Sequence, residues 1–239
     1  MKLKKIFDFL NEISPFEFQE EWDNSGLLVG SFEQDVKKIY LTLDLDDEVI
    51  EKAEENSLII AHHPLIFKPL KNVVPTSFST KLLIKLIRKN ISFIAMHTNF
   101  DKTHLNKYVA EEILQLKGES FDFIYTAEIN KPFDEFAAFV KEKFQIKCLK
   151  VVKCKDFIKT AALTTGAGMS LLPYVKADLF LTGDIKYHEA MDAKVRGVSL
   201  MDIGHYESEK FFVDALYRDI KDLKAEIVKI NSNNPFLYK

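Results

Sequence analysis

The chain has 239 residues, 47% of them apolar, and a formal net charge of -3. That length suits one large domain or two modest ones, and that apolar share excludes a disordered chain. The basic residues are scattered, which argues against a nucleic-acid surface or an anionic-membrane surface. Cys148 and Cys154 are the only cysteines, and their spacing fits no common zinc motif. Two thiols in a chain of this size point to a reducing, cytoplasmic compartment. The basic start Met1-Lys2-Leu3-Lys4-Lys5 is followed by an apolar run broken by Asp8, Asn11 and Glu12. It does not read as a signal peptide, and no stretch is long enough to span a membrane.

In chain order, Leu3, Ile6, Phe7 and Leu10 have helical spacing, so residues 3–13 are read as an amphipathic helix ended before Pro15. Glu21 to Gly30 is a polar turn leading into a strand. Lys38 to Leu43 is a strand, Asp44 to Asn56 a helix, and Ser57-Leu58-Ile59-Ile60 a buried strand. Residues 79–89 are a helix and Ile91 to Ala95 a strand. Residues 117–150 are less regular, apart from a helix over Phe133 to Phe144 and a strand over Cys148 to Val152; this stretch is the candidate junction between two lobes. Strands follow at Thr160 to Thr164, Leu179 to Thr182 and Val198 to Asp202, and helices at Met169 to Lys176, 186–195 and 207–221. Asn231 to Pro235 is turn-like. Alternation of this kind indicates an α/β fold with parallel-rich sheets. We divide it into an N-terminal α/β lobe, 1–120, and a C-terminal α/β lobe, 121–239, packed together or intertwined as one domain.

The chemistry centres on Ala61-His62-His63-Pro64-Leu65. Adjacent histidines on a continuing strand would point to opposite faces. Pro64 lacks a backbone donor and biases His63 toward a turn, so both imidazoles stand where a strand stops and can converge. Imidazole is a common metal ligand. His205 and Glu209 are four apart at a helix start, on one face. Asp101 follows another strand, where it reads as a further ligand or as a cap of a helix beginning near Thr103. A weak repeat joins these features. Two strand–helix–strand units are each followed by a strand and a His-x-x-x-acid pattern, His97 to Asp101 and His205 to Glu209. Ligands in open α/β sheets gather at such strand ends.

His62, His63, Asp101, His205 and Glu209 are too many ligands for one tetrahedral zinc with an open position. They suit two divalent metals, zinc, manganese, iron or cobalt, about 3.5–4 Å apart, with Glu209 as a bridging carboxylate. His97 is a candidate for orienting a ligand or moving a proton, and otherwise a hydrogen-bonded core histidine. Lys186 and His188 are candidates for meeting an anionic substrate or for acid–base work, and otherwise belong to a solvated helix start. Thr165-Gly166-Ala167-Gly168-Met169-Ser170 opens a helix and is a weak phosphate-cradle candidate without the usual lysine. Asp23 and Asn24 read as turn residues at least as well as site residues.

Five motifs occur in order: Trp22-Asp23-Asn24-Ser25-Gly26-Leu27-Leu28-Val29-Gly30, Ala61-His62-His63-Pro64, His97-Thr98-Asn99-Phe100-Asp101, Thr182-Gly183-Asp184-Ile185-Lys186-Tyr187-His188 and Gly204-His205-Tyr206-Glu207-Ser208-Glu209. Together they resemble the Nif-three-like family, whose bacterial members are often labelled GTP cyclohydrolase I type 2 homologs. The resemblance runs nearly end to end. It implies a two-lobed α/β subunit, a toroidal hexamer, and a dinuclear metal centre on the same five residues; the weak repeat, if a true duplication, adds a pseudo-two-fold. The resemblance also implies hydrolytic opening of the guanine ring of GTP or a related nucleotide, with His97 or His188 moving protons and Lys186 meeting the triphosphate. A metal-dependent phosphoesterase and a non-catalytic metal-binding ring are the alternatives. Long family members carry a mid-chain inserted domain for which this chain is too short.

Overall fold

Continuous apolar runs become the inner strands of two sheets. Leu58–Ala61 forms β3 with all four residues buried. A run without polar alternation needs cover on both faces, and the middle of a parallel sheet supplies it. In the computed structural model, which describes residues 1–230 and 232–237, the chain folds into two compact units. One comprises Met1–Phe100 and Phe212–Asn233; the other comprises Asp101–Phe211 and the residues after Asn233.

The first unit holds a five-stranded sheet. Its order is β1 (Gly26–Val29), β4 (Ser92–Ala95), β3, β2 (Lys38–Thr42) and β11 (Glu226–Lys229). β4, β3, β2 and β11 run parallel, and β1 is antiparallel to β4. Ile59, Phe93 and Tyr40 pack with Val49, Leu82 and Leu86 of the covering helices. The helix Leu3–Ile13 buries Leu3, Ile6 and Leu10, the positions its spacing selects. The helix Phe78–Arg88 starts at Ser77, whose hydroxyl accepts from the Thr80 N–H.

The second unit holds a six-stranded sheet ordered β5 (Gly118–Phe121), β6 (Ile124–Pro132), β8 (Phe157–Leu163), β9 (Leu179–Thr182), β10 (Ser199–Asp202), β7 (Lys150–Val152). β8, β9 and β10 run parallel and the remaining pairings are antiparallel. Phe180, Leu200 and Ala162 form its core with Met169, Leu172 and Ala193. Each unit thus carries three successive strands side by side and parallel, β2-β3-β4 in one and β8-β9-β10 in the other. The chain is α/β with mixed sheets, as its alternation predicts.

Several elements depart from the reading of the sequence. The helix expected over Asp44 to Asn56 is only Asp47–Lys52, because the Asp46 carboxylate caps it by accepting from the Val49 N–H at 2.7 Å. Met169–Tyr174 is a 3-10 helix containing Pro173, not an α-helix to Lys176. The irregular 117–150 stretch contains the β5–β6 hairpin, whose β5 is wholly exposed and so carries no apolar pattern. The helix expected over 207–221 is two helices, His205–Glu209 and Phe212–Ile220, interrupted where the chain passes from one unit to the other. A continuous helical stretch runs over 98–113, with π-helical turns at Asp101–Leu105 and Val109–Ile113. Asp101 therefore lies inside a helix and is not the cap of one starting near Thr103. Of the turn-like Asn231 to Pro235, Asn231 lies outside the described residues and 232–235 have no regular structure. No helix among the described residues is long and apolar enough to cross a membrane.

Ile60 is fully buried in β3, two residues before His62, with Leu41 and Ile94 as its register neighbours. Ile60→Ala removes about 2–5 kcal/mol of core stabilisation. Thermal unfolding followed by circular dichroism is expected to show a clearly lowered midpoint.

Candidate metal centre

In the first unit the chain leaves β3 in a turn. The N–H groups of His62 and His63 both donate to the Leu43 carbonyl, at 3.1 and 3.3 Å. The two imidazoles consequently lie side by side, ring centroids 4.9 Å apart. His97, just past β4, joins them at 5.1 Å from His62 and 5.4 Å from His63. One ring nitrogen from each lies within 4.8 Å of the others, an arrangement able to hold a metal ion.

The opposite nitrogen of each ring is committed. His62 Nδ1 donates to the Met96 carbonyl at 2.8 Å, His63 Nδ1 to Asp44 Oδ1 at 2.7 Å, and His97 Nδ1 to Asp23 Oδ1 at 2.8 Å. A neutral imidazole with its proton on Nδ1 carries its lone pair on Nε2, and this is how metal-ligating histidines are held. Asp23 is itself clamped, accepting from the Thr98 N–H at 3.1 Å and from the hydroxyls of Thr98 and Ser25 at 2.5 and 3.0 Å. Burial opposes its ionisation. Hydrogen bonds from His97, from Thr98 and from the Asn24 N–H outweigh that, and hold its carboxyl well below the usual carboxylate range.

In the second unit the helix His205–Glu209 puts His205 Nε2 3.0 Å from Glu209 Oε2, and Glu209 is only 2% exposed. His205 Nδ1 donates to Asp184 Oδ2 at 2.8 Å. A neutral ring so tethered turns its lone pair toward a carboxylate oxygen. The pair calls for positive charge, either on the imidazole or as a cation beside both. Asp184 has a positive φ of 55°, a conformation uncommon outside glycine and better tolerated by aspartate than by most residues. Asp101, buried, accepts a long hydrogen bond of 3.4 Å from the Thr165 hydroxyl, which also donates to Asn106 Oδ1 at 2.9 Å.

The Thr165–Gly168 loop does not present its amides to a phosphate. The N–H groups of Thr165, Gly166 and Gly168 donate to Asn106 Oδ1, Ser208 Oγ and Thr182 Oγ1, at 2.7, 3.0 and 2.8 Å. The loop instead lies against Glu209. A Cβ on Gly166, whose φ is +62°, would stand 2.1 Å from Glu209 Oε1.

Each of the five residues expected as metal ligands is among those able to help hold a metal ion, and His97 is too, in an all-histidine group with His62 and His63. Imidazole and carboxylate donors fit a divalent metal of the zinc, manganese, iron or cobalt kind. Lys186 and His188 stand elsewhere, exposed at the start of the helix Tyr187–Arg196. There Glu189 Oε2 accepts from the Lys186 N–H at 2.8 Å. His188 belongs to none of the metal-capable groups found among the described residues. The sequence reading missed Asp44 and Asp184 and undervalued Asp23. Asp44 lies just beyond β2 and Asp184 just beyond β9, so the strand-end rule that selected the histidines would have found both.

Two mixed sheets with histidine–carboxylate groups at their strand ends define a class of metal-capable α/β proteins. Within it, a family model described as Duf34/NIF3 (NGG1p interacting factor 3) matches residues 1–235, and the chain belongs to that family. A Campylobacter jejuni protein named GTP cyclohydrolase 1 type 2 homolog is 45% identical over 240 residues, covering 100% of both chains. A Helicobacter pylori protein named GTP cyclohydrolase 1 type 2 is 41% identical over 236 residues, covering 98% of this chain and 97% of its own. Among solved structures, reduced HcgD from Methanocaldococcus jannaschii aligns with a TM-score of 0.82 and 30% identity over 96% of this chain and 97% of that one. A Staphylococcus aureus hypothetical protein aligns with a TM-score of 0.86 and 27% identity, covering 100% and 99%.

Gly166→Ala is expected to displace the Glu209 carboxylate and strain the loop. Calorimetric titration with zinc or manganese should then show weakened binding with the fold retained by circular dichroism. Asp184→Asn removes the charge that orients His205 and should cost about 10- to 100-fold in metal affinity. With metal chelated, the depressed carboxyl of Asp23 adds stability above its unfolded value of about 3.9. That contribution is lost as pH falls below it. Asp23→Asn is therefore expected to flatten the decline of stability below about pH 4 in urea titrations.

Proposed function

We propose that the chain is a dinuclear metal-dependent hydrolase that opens the guanine ring of GTP or a related nucleotide. His62, His63, Asp101, His205 and Glu209 would hold two divalent cations, with Glu209 the ligand offered to both. The observation that carries this reading is the tethering of the histidines. Each Nδ1 of His62, His63 and His205 donates to a carbonyl or carboxylate, which holds the ring proton there and leaves Nε2 with the lone pair a metal would use. The names borne by the Campylobacter and Helicobacter relatives support the choice of nucleotide.

When bound, such cations supply Lewis acidity and ease the deprotonation of water. The residues of the chain do the rest. Asp44, Asp184 and the Met96 carbonyl fix the orientations of three ligating rings. Asp23 holds His97 with its proton on Nδ1, so Nε2 can take a proton from the reacting groups and return it. Lys186 and His188, exposed on the first turn of their helix, meet the anionic part of the substrate, and His188 is the second candidate proton carrier. The assembly we propose is the ring of six that the family resemblance implies. The exposed apolar stripe Tyr187, Met191 and Val195 agrees with a contact between copies. The free thiols Cys148 and Cys154 agree with a cytoplasmic setting.

The test measures metal per chain and formate released from GTP, for wild type and Glu209→Gln. Two metals and formate from wild type, both sharply reduced in the variant, is the expected result. Two metals with phosphate but no formate would replace the reading with a phosphoesterase. Two metals with no turnover would leave a metal-binding ring.

A further inference from the structure

Trp22 is the only tryptophan of the chain, and it is 57% exposed. Its ring stacks on Phe67, itself 44% exposed, with centroids 5.8 Å apart and planes 13° from parallel. Both rings meet His97 nearly edge-on, at 5.9 and 5.6 Å and at 76° and 77°. Large aromatic side chains ordinarily spend their area in a core, and a wet, ordered pair beside functional histidines is the less common arrangement.

The order of this pair comes from polar ties. Asn24 Nδ2 donates to the Ile66 carbonyl at 2.6 Å, joining the turn that carries Trp22 to the loop that carries Phe67. Asp23, the next residue after Trp22, is locked to His97 and Thr98. The rings therefore present a preorganised surface. Preorganisation removes much of the ordering cost of binding. Lys68 and Lys71 follow Phe67 in the same loop and are exposed, while Glu20, Glu21 and Asp23 flank Trp22.

We propose that Trp22 and Phe67 form the stacking shelf for the purine ring of a nucleotide substrate, placing that ring next to His97. The proposal rests on the nucleotide reading above and deepens it, because it assigns the residues that recognise the base. An aromatic face accepts any purine, so the shelf supplies affinity and placement and leaves selection among bases to hydrogen bonds elsewhere.

Because the sole tryptophan sits in the shelf, its fluorescence reports on occupancy. The experiment uses the full-length, metal-loaded protein with GTP, guanosine and inorganic triphosphate as probes, and equilibrium dialysis as an independent measure of binding. Trp22→Phe, Trp22→Ala and Phe67→Ala are compared after their melting temperature and metal content are matched to wild type. GTP and guanosine are expected to quench wild type while triphosphate does not. Phe67→Ala should weaken GTP by roughly 5- to 150-fold, the range one stacked base covers, and Trp22→Phe should retain binding. GTP bound equally well by wild type, Trp22→Ala and Phe67→Ala would overturn the shelf and leave the nucleotide reading intact. A drop in oligomeric mass of Phe67→Ala at unchanged GTP affinity would make the pair a contact between copies, and also overturn it. No binding of any probe to wild type would overturn the nucleotide reading itself, and the shelf with it.

Discussion

An imidazole has two nitrogens and, when neutral, one proton, so fixing that proton fixes the chemistry of the other nitrogen. His62, His63, His97 and His205 all have Nδ1 donating to an oxygen, from Met96, Asp44, Asp23 and Asp184 respectively. Three of the four acceptors are carboxylates, which raise the basicity of the ring as well as orienting it. The folded chain therefore spends three aspartates on setting histidines. Those aspartates lie at or beside strand ends because the rings do, and both follow from where the parallel strands stop.

The same economy governs the second unit. Glu209 is a buried carboxylate, and a buried charge needs compensation. The loop against it contains Gly166, and the amides of that loop are held by Asn106, Ser208 and Thr182. A side chain at Gly166 would occupy the carboxylate's space. What resembles a phosphate cradle in the sequence is a backbone wall for an acidic side chain.

Much of this was legible in the sequence because it is local. The helix Leu3–Ile13 and the strand Leu179–Thr182 declare themselves by spacing and by apolar runs. His62-His63-Pro64 declares a strand end by its proline. The rest depends on pairing across the chain. β5 is exposed along its whole length and β11 has only half-buried interior residues, so neither shows a pattern until its partner is known. The bond between Asp23 and His97 joins residues 74 apart, and no short-range rule reaches that far. The π-helical turn at Asp101–Leu105 leaves no compositional mark. Extra-residue turns of that kind recur at functional sites, and this one begins at a candidate ligand.

β11 pairs with β2 in parallel register, Ile227 opposite Ile39 and Val228 opposite Tyr40. During synthesis, β2, β3 and β4 leave the ribosome more than a hundred residues before β11 does, with the whole of Asp101–Phe211 in between. For that interval one flank of the histidine-bearing sheet is an open edge, and open edges recruit foreign strands. Lys38, the first residue of β2, is the kind of charge that discourages improper pairing. The order of translation thus makes the late arrival of a four-residue strand the step that closes the nascent sheet.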